Sequence, residues 1–504
     1  MKFCTVTLGC KVNQYEAQGI AGILISRGHV QAAPGAGCDV CIINTCAVTA
    51  ESSRKSRQAV RRMKKLAPGA LVAVCGCLSQ LDPQEAEALG ADITGGSGDR
   101  QGFALKIEEL ALSAARGAGS MGQGGPEAKP PASPCGAEQD GAEQDVAELG
   151  TGSMGQGSPE TMPPASPRGA ELDVAARGAG SMGQGGGSAA MPPASPRGGA
   201  RRPAFEELPP GAATGRTRAL LKIQDGCDNY CAYCVIPYAR GEARSLPLER
   251  AAAHARRLDE QGFREIVVTG IEISSYGKDL DGSPSLADAI RTISEAAPRA
   301  RLRLGSLDPG TITEGFCGGL GAIENLCDHF HLSLQSGCDQ TLRRMGRGYG
   351  ASSALEAISS LRRRFPGCGI TADLIAGFPG ETEAEFGQTM LFIKAAEFSG
   401  MHIFQFSPRN GTKAADMPQQ VAKSVKRERA RAAALAAEEM AHSFKLGQVG
   451  KTLEVLFERE RDGYWTGHSR NYLEVAVRGA GEKNSVHNVQ IASVGGGLIW
   501  GEKN

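Results

Sequence analysis

Between residues 1 and 112, short apolar runs alternate with stretches whose apolar positions recur every three or four residues. The runs at 3–9, 40–44 and 71–74 read as strands, and 14–27 and 50–66 as helices. Strand–helix alternation predicts a parallel sheet with right-handed crossovers. The same alternation returns from 214 to 442. Strands are expected at 219–223, 265–269, 301–304, 329–334, 371–375 and 402–406, with helices such as 248–261 and 354–364 between them. Six such βα units predict a barrel-like parallel sheet short of a full eight-fold barrel. Residues 443–504 change period again, with short alternating runs at 452–457, 472–477 and 487–491 that read as a small β-barrel. The fold class is α/β, in three structured domains: 1–112, 214–442 and 443–504.

Residues 113–213 break this pattern. Gly-Ser-Met-Gly-Gln-Gly starts at Gly119, Gly152 and Gly180, and Pro-Pro-Ala-Ser-Pro at Pro130, Pro163 and Pro192. The spacing of 28–33 residues is that of a solenoid, but Gly and Pro stand where a solenoid needs apolar stacking residues. The segment reads as a disordered, duplicated low-complexity linker.

Composition adds two points. The 504-residue chain has 55 basic and 55 acidic residues, so its total charge does not indicate a nucleic-acid partner. Residues 113–200 hold nine acidic and five basic residues, which leaves the remainder basic. No apolar run of about 18 residues predicts a membrane span, and the first residues lack a secretory pattern. A cytosolic location is therefore expected, where thiols stay reduced and fifteen cysteines suggest metal or catalytic chemistry before disulfides.

The segment Gly226-Cys227-Asp228-Asn229-Tyr230-Cys231-Ala232-Tyr233-Cys234 directly follows the first strand of the central domain. Three thiolates at C-x3-C-x2-C spacing can cap three irons of a four-iron cluster and leave the fourth open. An open metal position marks chemistry more than structure. The competing zinc knuckle needs a fourth Cys or His nearby, and this loop has none. The loop resembles the radical-SAM signature. That resemblance implies a [4Fe-4S] cluster whose open iron chelates S-adenosylmethionine and cleaves it reductively to a 5′-deoxyadenosyl radical. It implies that Tyr233 lies against the adenine, and it makes Gly270, Glu272, Ser306 and Gly377 candidates for the same pocket. These positions fall at the C-terminal ends of predicted strands, where parallel barrels hold ligands. Gly270 and Gly377 fit plain strand-end turns equally well.

Three expected strands of the N-terminal domain each run into a cysteine: Cys10, Cys46 and, after Val74-Cys75-Gly76, Cys77. In a parallel sheet the C-terminal strand ends share one rim, so three thiols distant in sequence can converge there. Buried structural cysteines are the competing reading. Cys75 is an alternative to Cys77, and Cys38 with Cys41 forms a rival C-x2-C pair that reads mostly as core. The stretches Gly-Cys-Lys-Val-Asn-Gln-Tyr-Glu (9–16), Asn-Thr-Cys-Ala-Val-Thr (44–49), Gly-Cys-Leu-Ser-Gln (76–80), His-Leu-Ser-Leu-Gln-Ser-Gly-Cys-Asp (331–339) and Phe-Ser-Pro-Arg-Asn-Gly-Thr (406–412) resemble the methylthiotransferase family, and within it the MtaB type. The resemblance covers essentially everything outside 113–213.

It implies a flavodoxin-like N-terminal sheet, a central radical-SAM partial (β/α) barrel and a C-terminal barrel like the TRAM module. It selects Cys77 as the third N-terminal ligand. It further implies two [4Fe-4S] clusters, S-adenosylmethionine, a low-potential electron donor and a sulfur donor. The implied reaction places a methylthio group on C2 of N6-threonylcarbamoyladenosine at position 37 of tRNA. Isopentenyl-adenosine tRNA and a ribosomal protein are alternative substrates within the same chemistry, and a non-enzymatic iron–sulfur RNA-binding protein is the alternative of another class. For the tRNA partner, residues 54–65 carry seven basic and no acidic residues, a ridge at helical spacing that fits phosphate contact or a plain solvated face. Tyr464, Trp465 and Tyr472 could stack bases or fill a core. Residues 443–504 are barely basic, with eight Lys or Arg and seven Asp or Glu.

Overall fold

The chain is described in a computed structural model over residues 1–35, 37–119, 204–209, 217–479 and 481–503. Its first sheet has five parallel strands, β1 (Lys2–Thr7), β2 (Val30–Gln31), β3 (Val40–Thr45), β4 (Leu71–Gly76) and β5 (Ile93–Thr94), in the order β2-β1-β3-β4-β5. Every residue of β3 is buried, which is why it reads as a continuous apolar run: both faces of the sheet are covered. Helices Lys11–Ser26 and Arg100–Gly119 cover one face through Ile20, Leu24, Phe103 and Ile107, and helix Ala50–Leu66 covers the other through Val60 and Met63. The strand order reverses between β1 and β3. That is the switch point of a flavodoxin-like sheet, outside which such folds hold ligands. The helix expected from residue 14 begins at Lys11, because Gly9 at φ +98° turns the chain straight from strand to helix.

The central domain holds β6 (Arg218–Lys222), β7 (Gln224–Asp225), β8 (Arg244–Ser245), β9 (Glu265–Thr269), β10 (Arg301–Leu304), β11 (Ser306–Leu307), β12 (His329–Gln335), β13 (Gly369–Ala376) and β14 (Gly400–Gln405). β10-β9-β6 and β11-β12-β13-β14 are both parallel. β10 and β11 are interrupted only at Gly305, so the two sheets form one curved array of six parallel strand positions, with β7 and β8 as a short antiparallel pair beside it. Along β13, Ile370, Ala372 and Leu374 pack in the helix-covered core, while Thr371, Asp373 and Ile375 alternate onto the opposite, concave face.

The C-terminal module is a closed barrel of β15 (Thr452–Arg461), β16 (Tyr464–Ser469), β17 (Glu474–Arg478), β19 (Leu498–Lys503) and β18 (Val486–Gly495), in that order around the barrel. It docks on the central sheet. Arg301 donates to the His468 carbonyl (2.7 Å), and Arg303 to those of Ser469 (3.0 Å) and Arg470 (2.9 Å). Both guanidiniums also clamp the buried Glu265. Tyr472, expected as a base-stacking candidate, instead stacks on His329 (4.5 Å) and His468 (4.9 Å) with Arg303 over its ring. Trp465 stacks on the core residue Phe457.

The boundary expected at 112 falls inside the helix that runs to Gly119. Residues 204–209, expected in the linker, are tied down: the Leu208 carbonyl accepts from the Tyr15 hydroxyl (3.2 Å), and Glu207 pairs with Arg250 (2.7 Å). The rest of the expected linker lies outside the described residues. No helix among the described residues is long and apolar enough to cross a membrane.

Candidate active site

Cys10 stands at the N-cap of the helix after β1, Cys46 follows β3, and Cys77 opens the helix Cys77–Leu81 after β4. All three are thus at the C-terminal rim, with Cys10 and Cys46 flanking the switch point. Local geometry brings them close. A Cβ on Gly9 would lie 2.7 Å from Cys46 Cβ and 2.8 Å from its Sγ, so only glycine lets the first strand leave past the second thiol. Asn13 Nδ2 donates to the carbonyls of Leu8 (2.8 Å) and Thr45 (3.0 Å) and joins the two strand ends. Ser56 Oγ accepts from the Cys46 amide (3.1 Å) and donates to its carbonyl (3.0 Å).

Burial pushes the Cys77 thiol up to about 12; nearby Cys46 and Cys10 add to this, and Arg240 opposes it. Burial, then Cys10, raises Cys46 as well. Cys46 and Cys77 are buried and Cys10 is exposed at their edge, close enough that its charge acts on both. Cys75 points into the other side of the sheet, among Ile20, Leu24 and Phe103, with Arg100 and Glu16 as its charged neighbours. Cys38 and Cys41 pack with Cys4 in the core beneath helix Ala50–Leu66.

In the central domain the Cys227 amide donates to the Gly241 carbonyl (3.0 Å), and that of Cys234 to the Cys231 carbonyl (3.0 Å), closing the loop on itself. Burial pushes both thiols up to about 12; Glu272 and then Cys231 raise Cys227 further, and Cys231 and Cys227 raise Cys234. Arg347 Nη1 donates to Cys231 Sγ (3.3 Å), and its Nη2 donates to Asp308 (2.7 Å) and to the Ser333 carbonyl (3.1 Å).

Tyr233 is half-buried, edge-on against Phe378 (6.4 Å), the residue after Gly377. Glu272 lies close enough to Cys227 to raise its thiol, and burial followed by Asp308 raises the Glu272 carboxyl in turn. Ser306 is exposed at the start of β11, two residues before Asp308. Gly270 follows β9, where a Cβ would meet Gln224 Cβ and Ile273 Cγ2 at 2.9 Å, so close packing alone requires glycine. Gly377 follows β13 at φ +75°, and its amide donates to Glu381 (2.8 Å), a strand-end turn in its own right. Tyr233 and Glu272 are thus gathered at the thiol loop, while the two glycines are accounted for by backbone geometry.

The two thiol groups meet at a built junction. Helix Cys77–Leu81 packs on helix Ile236–Arg240, just past Cys234, through Cys77, Leu78, Ile236 and Ala239. Beside this contact runs a buried polar network. Arg240 donates to Glu16 (2.7 Å), Asp225 (3.1 Å) and Asn13 Oδ1 (2.6 Å); Arg100 pairs with Glu16 (2.7 Å), and Lys222 and Arg244 with Asp225 (2.9 and 3.0 Å). Four cations face two carboxylates. The surplus positive charge sits next to Cys77, which an anionic thiolate group would complement. Buried thiols raised this far become thiolates only with a compensating cation. Donor set and surroundings therefore fit three-thiolate iron–sulfur ligation at both places. Asn13, Glu16, Asp225, Arg240, Asp308 and Arg347 have no role in the reading of the sequence. Asn13 and Glu16 stand in the 9–16 stretch that carries the family resemblance, at helical spacing from Cys10.

Two family models match the chain: the Radical SAM superfamily over residues 221–393 and Uncharacterized protein family UPF0004 over residues 2–95. The threonylcarbamoyladenosine tRNA methylthiotransferase MtaB of Bacillus subtilis is 30% identical, covering 94% of this chain and 89% of that protein. The protein of the same name from Thermotoga maritima is 30% identical over 97% and 94%. A tRNA-2-methylthio-N(6)-dimethylallyladenosine synthase of Pelotomaculum thermopropionicum is 29% identical over 95% and 92%.

Proposed function

The chain belongs to the radical-SAM tRNA methylthiotransferase family, and on that premise we propose that it transfers a methylthio group to C2 of N6-threonylcarbamoyladenosine at position 37 of tRNA. The observation that carries the reading is the junction. Two separate groups of three thiols lie on helices and loops that pack directly on one another. In this reading Cys10, Cys46 and Cys77 hold one [4Fe-4S] cluster and Cys227, Cys231 and Cys234 the other. Tyr233, Gly270, Glu272, Ser306 and Gly377 surround S-adenosylmethionine. When bound, these groups supply reductive cleavage of S-adenosylmethionine and a carrier for the transferred sulfur.

The chain's own residues bind, orient and exclude water. Arg347 donates to Cys231 and holds Asp308 beside Glu272, so the thiol loop and the neighbouring strand ends are fixed relative to each other. Arg240 ties Asn13 and Glu16 of the N-terminal domain to Asp225 of the central one, which fixes the spacing between the two thiol groups. Holding the reacting parts at a set distance is worth about 7–11 kcal/mol in favourable cases. The exposed face of helix Ala50–Leu66 is the proposed tRNA contact. The electron donor and sulfur donor are external reactants, met in the cytosol.

The name of the Pelotomaculum relative favours a second substrate, dimethylallyladenosine tRNA. Nucleoside mass spectrometry of tRNA from a strain lacking this chain separates the two. The methylthiolated threonylcarbamoyl nucleoside is expected to disappear while its precursor accumulates. Unchanged levels of it would refute the proposal.

A further inference from the structure

Three chemistry-bearing side chains on the concave face of the central sheet belong to neither thiol group. His331 on β12, Asp373 on β13 and His402 on β14 bring two imidazoles and a carboxylate within 4.8 Å of one another. His331 has both ring nitrogens engaged: Nδ1 with Thr371 Oγ1 (2.8 Å) and Nε2 with Asp373 Oδ1 (3.3 Å). It therefore fixes Asp373 and leaves the second carboxylate oxygen. His402 is exposed, and its ring lies 5.6 Å from that of His331. Asp373 and His402 are direct partners across β13 and β14.

A short chain of contacts links these groups to the central thiol loop. From the central loop, Cys231 contacts Arg347, which contacts the Ser333 carbonyl, two residues beyond His331 on the same strand. On the N-terminal side, burial chiefly lowers the pKa of His402 and of the buried His329, and the charge of Lys11, next to Cys10, adds to it. In the reading above a base enters between the two thiol groups, which brings that base toward this face of the sheet.

The chemistry of the two candidate substrates differs at that point. A dimethylallyl group is wholly apolar and would desolvate these polar groups without partners, which costs heavily. A threonylcarbamoyl group ends in a carboxylate and a hydroxyl. We propose that His402 and Asp373, with Asp373 positioned by His331, form the subsite for the amino-acid end of the threonylcarbamoyl group. The His402 ring donates to its carboxylate, and Asp373 accepts from its hydroxyl. The inference rests on the substrate reading above and assigns it to residues.

The test uses anaerobically reconstituted full-length protein and tRNA carrying either modified adenosine. Iron per chain and circular dichroism check that each variant is intact. His402→Ala and Asp373→Asn are expected to raise KM for the threonylcarbamoyl tRNA roughly tenfold to a hundredfold, the scale of one lost charged hydrogen bond. His402→Gln, which keeps an N–H donor, is expected to recover most of that loss. KM within about twofold of wild type in both variants, with wild type active, would overturn the subsite alone. Wild-type inactivity on the threonylcarbamoyl tRNA, with activity on the dimethylallyl tRNA, overturns the substrate reading and the subsite with it. A divalent ion per chain beyond the cluster iron, lost in His402→Ala, overturns it in favour of a metal site.

Discussion

Glu16 shows how much of the site depends on charge bookkeeping at single atoms. Burial alone would raise its carboxyl; Arg240, Arg100 and Lys222 outweigh burial and hold it at about 2. Its folded value lies below its ordinary one of 4.5, so the ionised form stabilises the fold. That contribution is complete above pH 4.5 and is lost as pH falls toward 2. Urea unfolding across this window should show stability declining with acid, and Glu16→Gln should flatten the decline. Glu16→Ala leaves buried cations uncompensated and is expected to cost about 3–5 kcal/mol at pH 7; a loss below about 1 kcal/mol, the scale of an exposed pair, would contradict the network's role. The six cysteines could be singled out in sequence by their places after expected strands and their spacing on one loop, and their ligand role is the proposal above. Glu16 and Arg240 could not be, because 224 positions separate them and only folding brings them together.

At the scale of elements, hydrophobic period read the long strands and the amphipathic helices to within a few residues. It failed where the period had no room to show. β2 and β5 are two residues each, and β16 and β19 place Tyr464, Trp465 and Trp500 among polar and glycine neighbours without clean alternation. The basic helix Ala50–Leu66 was legible, but its charges are not equivalent. Arg54 pairs with Glu51 (2.5 Å) and Arg57 with Glu85 (3.0 Å), whereas Arg61, Arg62, Lys64 and Lys65 are exposed and without an ion-pair partner among the described residues. The free cations are the ones available to phosphate. Replacing Arg61 and Arg62 together by Glu should weaken tRNA binding and reduce the slope of log affinity against log salt by roughly 1.5–2 units. An unchanged slope in a salt titration would assign the ridge to solvent. Tyr472 shows the opposite lesson: an aromatic residue beside the C-terminal barrel, expected from sequence as a candidate for base stacking, seals one domain against another.

At the scale of the whole molecule, the N-terminal sheet presents three cysteines at three strand ends and the central domain presents three on one loop, and one helix–helix contact with one buried charge network holds the two presentations together. Domain order and sheet type were legible from alternation, since a parallel sheet dictates which ends share a rim. The mutual placement of the domains was not, because it rests on Arg240, Asn13 and Asp225, whose partners lie in different domains. The most direct measurement is iron per chain after anaerobic reconstitution, made on the wild type and on two triple variants. One replaces Cys10, Cys46 and Cys77 by alanine, the other Cys227, Cys231 and Cys234. About eight irons are expected in the wild type and about four in each variant, with methylthiolation abolished in both. Eight irons retained in either variant, or four in the wild type, would contradict the account.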